Sequence, residues 1–131
     1  MSEANVKILV VDDLEMIRSM IKVSLLSAGY TNITIANDGQ QALDKIFEAD
    51  SSGVPYHLVL SDWNMPKLNG IELLKKVKDK LANHGPKFIM ITSESEKKAI
   101  IEAISSGATD YVVKPFSKEI LLSKVKKVLG T

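Results

Sequence analysis

Five short apolar runs recur along the chain, each followed by a longer stretch of helical period. They are KILVV (7–11), NITIA (32–36), HLVLS (57–61), KFIMI (87–91) and DYVV (110–113). Such short runs, solidly apolar and bounded by polar residues, suit strands covered on both faces. Between the first two runs, Leu14, Ile17, Ile21, Leu25 and Ala28 recur at i, i+3, i+4 spacing, and Gly29 supplies a stop for this first helix. Asp38 with Gln41, and Asn69 with Glu72, have the spacing of capping boxes opening the second and third helices. Gly85 and Gly107 are the expected ends of helices three and four, and Ser117 the expected cap of the fifth. The longest loop is expected at ADSSGVPY (49–56).

Strand–helix alternation of this kind produces a parallel sheet with helices on both faces, because parallel neighbours need right-handed crossovers. The expected fold is therefore α/β: a doubly wound, five-stranded (βα)5 sheet, for which 2-1-3-4-5 is the common strand order. That order reverses beside strand 1 and leaves a crevice at the carboxyl ends of strands 1 and 3. At 131 residues the chain fits one domain, spanning 1–131 with no room for a helix-turn-helix or enzymatic output domain after the fifth helix.

Polar residues sit where the crevice requires them. Strand 1 ends in Asp12-Asp13, strand 3 in Asp62, strand 4 in Thr92-Ser93 and strand 5 in Lys114-Pro115. Each has an ordinary structural reading alone: Asp13 caps the first helix, Thr92 belongs to a turn, Lys114 is solvated. Together they do not. Two like charges at ~4 Å and an effective dielectric near 20 repel by about 4 kcal/mol, so three carboxylates persist only if partly protonated or neutralised. Lys114 supplies one positive charge. Oxygen-only ligands favour Mg²⁺ or Mn²⁺ for the remainder, and Mg²⁺ bridges carboxylates to phosphate oxygens. The edge reads as a phosphoryl-handling site, with Asp12 and Asp13 holding metal, Lys114 and Thr92 contacting the phosphoryl oxygens, and Asp62 as the nucleophile.

The stretches LVVDD, SDWNMP with the following NG, ITSE and GATDYVVKPF together resemble a response regulator receiver domain of the chemotaxis, CheY-like type, over essentially the whole chain. Receivers of this type are themselves a standard example of the flavodoxin-like order 2-1-3-4-5, so that agreement is not independent. The resemblance implies that Asp62 is the phosphoacceptor. It gives the metal to Asp12, Asp13, Asp62 and the backbone carbonyl of Asn64, and the phosphate contacts to Thr92 and Lys114, with a cis bond before Pro115. Thr92 and Tyr111 correspond to the switch pair, Asn64 and Glu94 to the side chains that tune dephosphorylation. The output surface of the fourth helix, fifth strand and fifth helix corresponds to Glu96, Ile100, Tyr111 and Lys124. Implied partners are a chemotaxis-type sensor histidine kinase, a flagellar motor switch protein and a phosphatase; the implied state is a cytoplasmic monomer.

Several residues depart from this pattern. Ser93 replaces a smaller residue, Glu15 and Met16 open the first helix where small polar residues are usual, and Glu96 is acidic where flagellar regulators are more basic. Ile100 and Ile101 are adjacent and cannot both centre on one stripe: periodicity assigns both to the core, whereas the resemblance turns Ile100 outward. Lys118, Lys126 and Lys127 read as a solvated face favouring the helix C-terminus. His57 and His84 lack metal-ligand spacing, and Trp63 is placed to report on Asp62.

Composition removes other classes. With 17 Lys and Arg against 16 Asp and Glu there is no bulk attraction to nucleic acid or anionic lipid. The chain has no cysteine, no signal-peptide-like start, and no G-x-G-x-x-G or G-x-x-x-x-G-K-[ST]. The leading expectation is a phosphorylation-activated signalling protein controlling the flagellar motor, not an enzyme acting on external substrates. A phosphate sink or relay shuttle is the alternative. A Mg²⁺-dependent phosphohydrolase with Asp62 as nucleophile ranks below both, since that class places a second acid where this chain has Asn64.

Overall fold

The computed structural model describes residues 2–93 and 97–130, and the side chains of all of these except Asn83 and Ala99. Its elements are β1 (Lys7–Val11), α1 (Glu15–Ser27), β2 (Asn32–Ala36), α2 (Gly39–Ser51), β3 (Leu58–Asp62), α3 (Gly70–Leu81), β4 (Lys87–Ser93), α4 (Lys97–Ser105), β5 (Asp110–Lys114) and α5 (Lys118–Leu129). All strand pairs are parallel and the order is β2-β1-β3-β4-β5, as expected.

Period-2 alternation divides the apolar residues between two cores. Leu9, Val11, Val59, Phe88 and Met90 face α2, α3 and α4, packing on Ile46, Leu74, Val77 and Ala103. Ile8, Val10, Leu58, Leu60, Ile89, Ile91 and Val112 face α1 and α5, packing on Ile21, Leu25, Leu121 and Val125. The central strands β1 and β3 are covered on both faces. The edge strand β2 is only partly so, with Ile33 and Ile35 half-buried, which limits the two-faced expectation to the middle of the sheet.

Local signals hold in part. Asn69 and Glu72 form the full capping box of α3, and Ser117 caps α5 through Ile120 N–H. Asp38 accepts from Gln41 N–H, but the Gln41 side chain reaches back to Asn37 N–H instead of completing the box. Asp13 does not cap α1: Leu14 occupies the N-cap with no side-chain bond, and its side chain, expected in the apolar stripe, is 56% exposed. Helix α3 stops at Leu81, before Gly85, because Ala82 turns to positive φ (51°) and a 3-10 turn follows. Residues 49–51 belong to α2, so the seven-residue β3–α3 segment 63–69, not ADSSGVPY, is the longer connection. His57 is structural: its Nδ1 accepts the Lys7 N–H at 2.9 Å where β1 begins.

Candidate functional site

Three carboxylates gather where β1 and β3 end. Oxygen atoms of Asp12, Asp13 and Asp62 lie within 4.8 Å of one another. Asp12 is fully buried and Asp62 is 7% exposed, while Asp13 faces solvent. Backbone register explains the convergence: β1 and β3 are adjacent and in step, with Val11 opposite Ser61, so the next residue of each strand is an aspartate at the same level.

Each buried carboxylate is anchored through its Oδ1. Asp12 Oδ1 accepts Leu14 N–H at 2.9 Å, and Asp62 Oδ1 accepts Trp63 N–H at 2.9 Å and Lys114 Nζ at 3.0 Å. Asp12 Oδ2 is buried with no hydrogen bond, 3.6 Å from Lys114 Nζ. Burial raises the pKa of both acids above the ordinary carboxylate value; Lys114 and the backbone N–H groups oppose the rise incompletely, and neighbouring acids add to it. Burial also works against charge on Lys114, yet its contacts with Asp62 and Asp12 win and raise its pKa, so it stays cationic. Among the described residues the ion pairs to this cluster are those of Lys114 with Asp12 and Asp62, which leaves three acids short of positive charge. The orphaned buried Oδ2 of Asp12 and the all-oxygen donor set fit a hard divalent cation such as Mg²⁺.

Two glycines shape the loop over this cluster. A Cβ on Gly70 would lie 2.5 Å from the Asp62 carbonyl and 3.2 Å from Trp63 Cα, and one on Gly39 would lie 2.0 Å from the Leu68 carbonyl. Gly70 N–H donates to Trp63 O at 2.9 Å, closing the segment that carries Asn64, Met65 and Lys67. Arg18, which sequence reasoning passed over, donates from Nη1 to the Asp12 carbonyl at 2.7 Å and secures the β1–α1 turn. Its only sequence signal is a cation one turn into the helix that follows Asp12-Asp13.

The other expected residues have these positions in the fold. Strand β4 runs two residues beyond its apolar core, so Thr92 is a buried strand residue, not a turn residue, opposite Val113. Tyr111, opposite Met90, lies on the same face of the sheet as Thr92, two residues before Val113. Asn64 is exposed at the mouth, two residues past Asp62. The Lys114–Pro115 bond is cis. Lys124 Nζ sits 5.0 Å from the centre of the Tyr111 ring. Ile100 is half-buried and Ile101 is 71% exposed, so the pair does not enter the core together. Glu94 and Glu96 lie outside the described residues.

The response regulator receiver domain family matches residues 8–126. The chain belongs to that family. It is 38% identical over 125 residues to a chemotaxis protein CheY homolog of Campylobacter jejuni, covering 95% of this chain and 93% of that one. It is 39% identical over 123 residues to the chemotaxis protein CheY of Pseudomonas aeruginosa, covering 93% and 94%. The solved structure of Vibrio cholerae chemotaxis protein CheY4 superposes with a TM-score of 0.81 at 35% identity, covering 94% of this chain and 98% of that one. As a receiver domain the chain is a signalling module, and its acidic cluster is one that can take a metal. No helix among the described residues is long and apolar enough to cross a membrane.

Proposed function

We propose that this receiver accepts a phosphoryl group on Asp62 from a histidine kinase and, so modified, binds the flagellar motor switch. One observation carries the acceptor assignment: Asp62 is a buried carboxylate with an oxygen within 4.8 Å of those of Asp12 and Asp13, and it is held through Oδ1 by Trp63 N–H and Lys114 Nζ. Asp12, Asp13, Asp62 and the Asn64 carbonyl would hold Mg²⁺, or Mn²⁺, which when bound offsets charge on the phosphoryl oxygens. The rest falls to the chain's own side chains. An Asp62 carboxylate oxygen attacks phosphorus, the P–N bond of a phosphohistidine donor breaks, and the imidazole leaves as the aspartyl phosphate forms. Lys114 Nζ stabilises the new anion, and Thr92 donates its hydroxyl to it. Asn64 and Glu94 tune the hydrolysis that returns the carboxylate.

The readout is a shift between two states, which phosphorylation must bind unequally to move. Attraction of Thr92 to the phosphoryl group frees space on the face it shares with Tyr111. Tyr111 then moves, and the surface of α4, β5 and α5, including Glu96, Ile100 and Lys124, changes its affinity for the switch protein. By its likeness to chemotaxis receivers, the protein is read as acting through this surface as a cytoplasmic monomer.

The test is a titration of a labelled N-terminal peptide of a flagellar switch protein, with and without Mg²⁺ and beryllofluoride. Strengthened binding supports the motor reading. Loading reported by Trp63 fluorescence without peptide binding would replace it with a phosphate sink or relay.

A further inference from the structure

The edge strand β5 carries Asp110 toward α5 and Tyr111 toward α4, and Lys124 of α5 touches both. Lys124 Nζ lies 2.9 Å from Asp110 Oδ1 and 5.0 Å from the centre of the Tyr111 ring. Asp110 is 7% exposed, its Oδ1 also accepts Tyr111 N–H at 2.8 Å, and its Oδ2 has no hydrogen bond, with Lys127 Nζ 3.6 Å away. Burial works against its charge. Hydrogen bonds from Lys124 and the Tyr111 N–H, with the attraction of both lysines, nonetheless hold its pKa below the ordinary carboxylate value.

A lysine at this position has no reason to stay against a ring unless something fixes it. An exposed ammonium–ring contact is weak, and a four-carbon side chain gives up considerable rotamer freedom to make it. The buried carboxylate supplies the fixed point, and Lys127, 75% exposed and farther away, does not compete for Oδ1. Lys124 thereby spans the sheet edge, closing one side of a cavity of about 480 Å³ that Tyr111, Lys114, Pro115 and Ile120 also line.

We propose that Asp110 is a positioning residue for the switch: it fixes Lys124 against the Tyr111 ring, so that movement of Tyr111 toward Thr92 must break that contact. This rests on the reading of Tyr111 as the switch residue. The carboxylate, the lysine and the ring act as one latch, whose contribution amounts to a factor of about two to five in the population of Tyr111 rotamers.

The test is NMR on the full chain in metal-free buffer. In the native protein the Lys124 ε-methylene protons resonate upfield of the other lysines, shifted by the ring current of Tyr111. Asp110→Asn returns them toward the common lysine position and changes the Tyr111 χ1 populations, read from scalar couplings, by about two- to five-fold. Lys124→Met changes the Tyr111 populations in the same direction and covers the case in which Asp110→Asn fails to fold. Lys124→Arg, which can still stack and pair, and Lys127→Met leave them unchanged. An unshifted Lys124 signal in the native protein, or Tyr111 populations that neither Asp110→Asn nor Lys124→Met alters, would overturn the latch. The Trp63 response to Mg²⁺ and beryllofluoride reads the Asp62 site separately, so failure of the phosphorylation reading leaves these lysine and tyrosine signals interpretable.

Discussion

Neutralising Asp12 without changing its shape should stabilise the metal-free protein while removing its response to metal. Asp12 faces two carboxylates with oxygen atoms within 4.8 Å, each pair repelling by about 3.5 kcal/mol at an effective dielectric near 20. Its attraction to Lys114 Nζ across 3.6 Å returns about 4.6 kcal/mol on the same scale. Asp12→Asn therefore gains about 2 kcal/mol, and its amide oxygen can still accept the Leu14 N–H. For a chain of 131 residues that raises Tm by about 7 °C. The pH dependence has a definite sign. The folded pKa of Asp12 is raised, so its penalty on the fold begins as pH rises past the ordinary 3.8 and is complete only above the folded pKa. The advantage of Asn is complete above the folded pKa and fades as pH falls through it to below the ordinary 3.8. Thermal melts in EDTA at low ionic strength, across pH 3 to 8, measure it. Added Mg²⁺ should raise Tm of the native protein by binding only the folded state, and should do little for Asp12→Asn. A lower Tm for Asp12→Asn in EDTA at neutral pH would refute the claim that this cluster is short of positive charge.

Gly70→Ala should destabilise by about 1–3 kcal/mol in urea unfolding, against the usual gain from Gly to Ala in a helix, because the new methyl meets the Asp62 carbonyl at 2.5 Å; an unchanged or raised midpoint would show the loop to be looser than described. Asp110→Asn should have the pH dependence opposite to that of Asp12→Asn. The folded pKa of Asp110 is lowered, so its carboxylate stabilises the fold above 3.8 and loses that contribution as pH falls through the folded pKa. The variant is therefore less stable at neutral pH and converges on the native protein in acid; a deficit that persists unchanged in acid would mean the Lys124 and Lys127 pairs contribute nothing.

The fold was legible because its signals repeat. Five apolar runs and intervening helical periods admit few arrangements, and the register that brings Asp12 level with Asp62 follows once β1 and β3 are neighbours. Thr92 and Lys114 were legible for the same reason, as residues at the ends of consecutive strands. Element ends were less so. Leu14 fits the α1 stripe by spacing, yet the turn that lets Asp12 accept Leu14 N–H points its side chain outward. The spacing of Gln41 from Asp38 cannot reveal that its amide would reach Asn37, and Gly85 draws attention from the positive φ at Ala82 that ends α3. Longer-range side-chain contacts were invisible: no local pattern links His57 to Lys7, or Lys124 to Asp110 and Tyr111. Each depends on tertiary packing that sequence spacing does not encode.

The most direct test of the central claim is the site and metal dependence of phosphorylation. The protein is incubated with a small acyl-phosphate donor with and without Mg²⁺, and the modified residue is located by peptide mass spectrometry after borohydride trapping. One phosphoryl group on Asp62, formed only with Mg²⁺ and absent from Asp62→Asn, is the predicted result. Modification of another residue, or equal modification in EDTA, would contradict the assignment of Asp62 and the acid cluster around it.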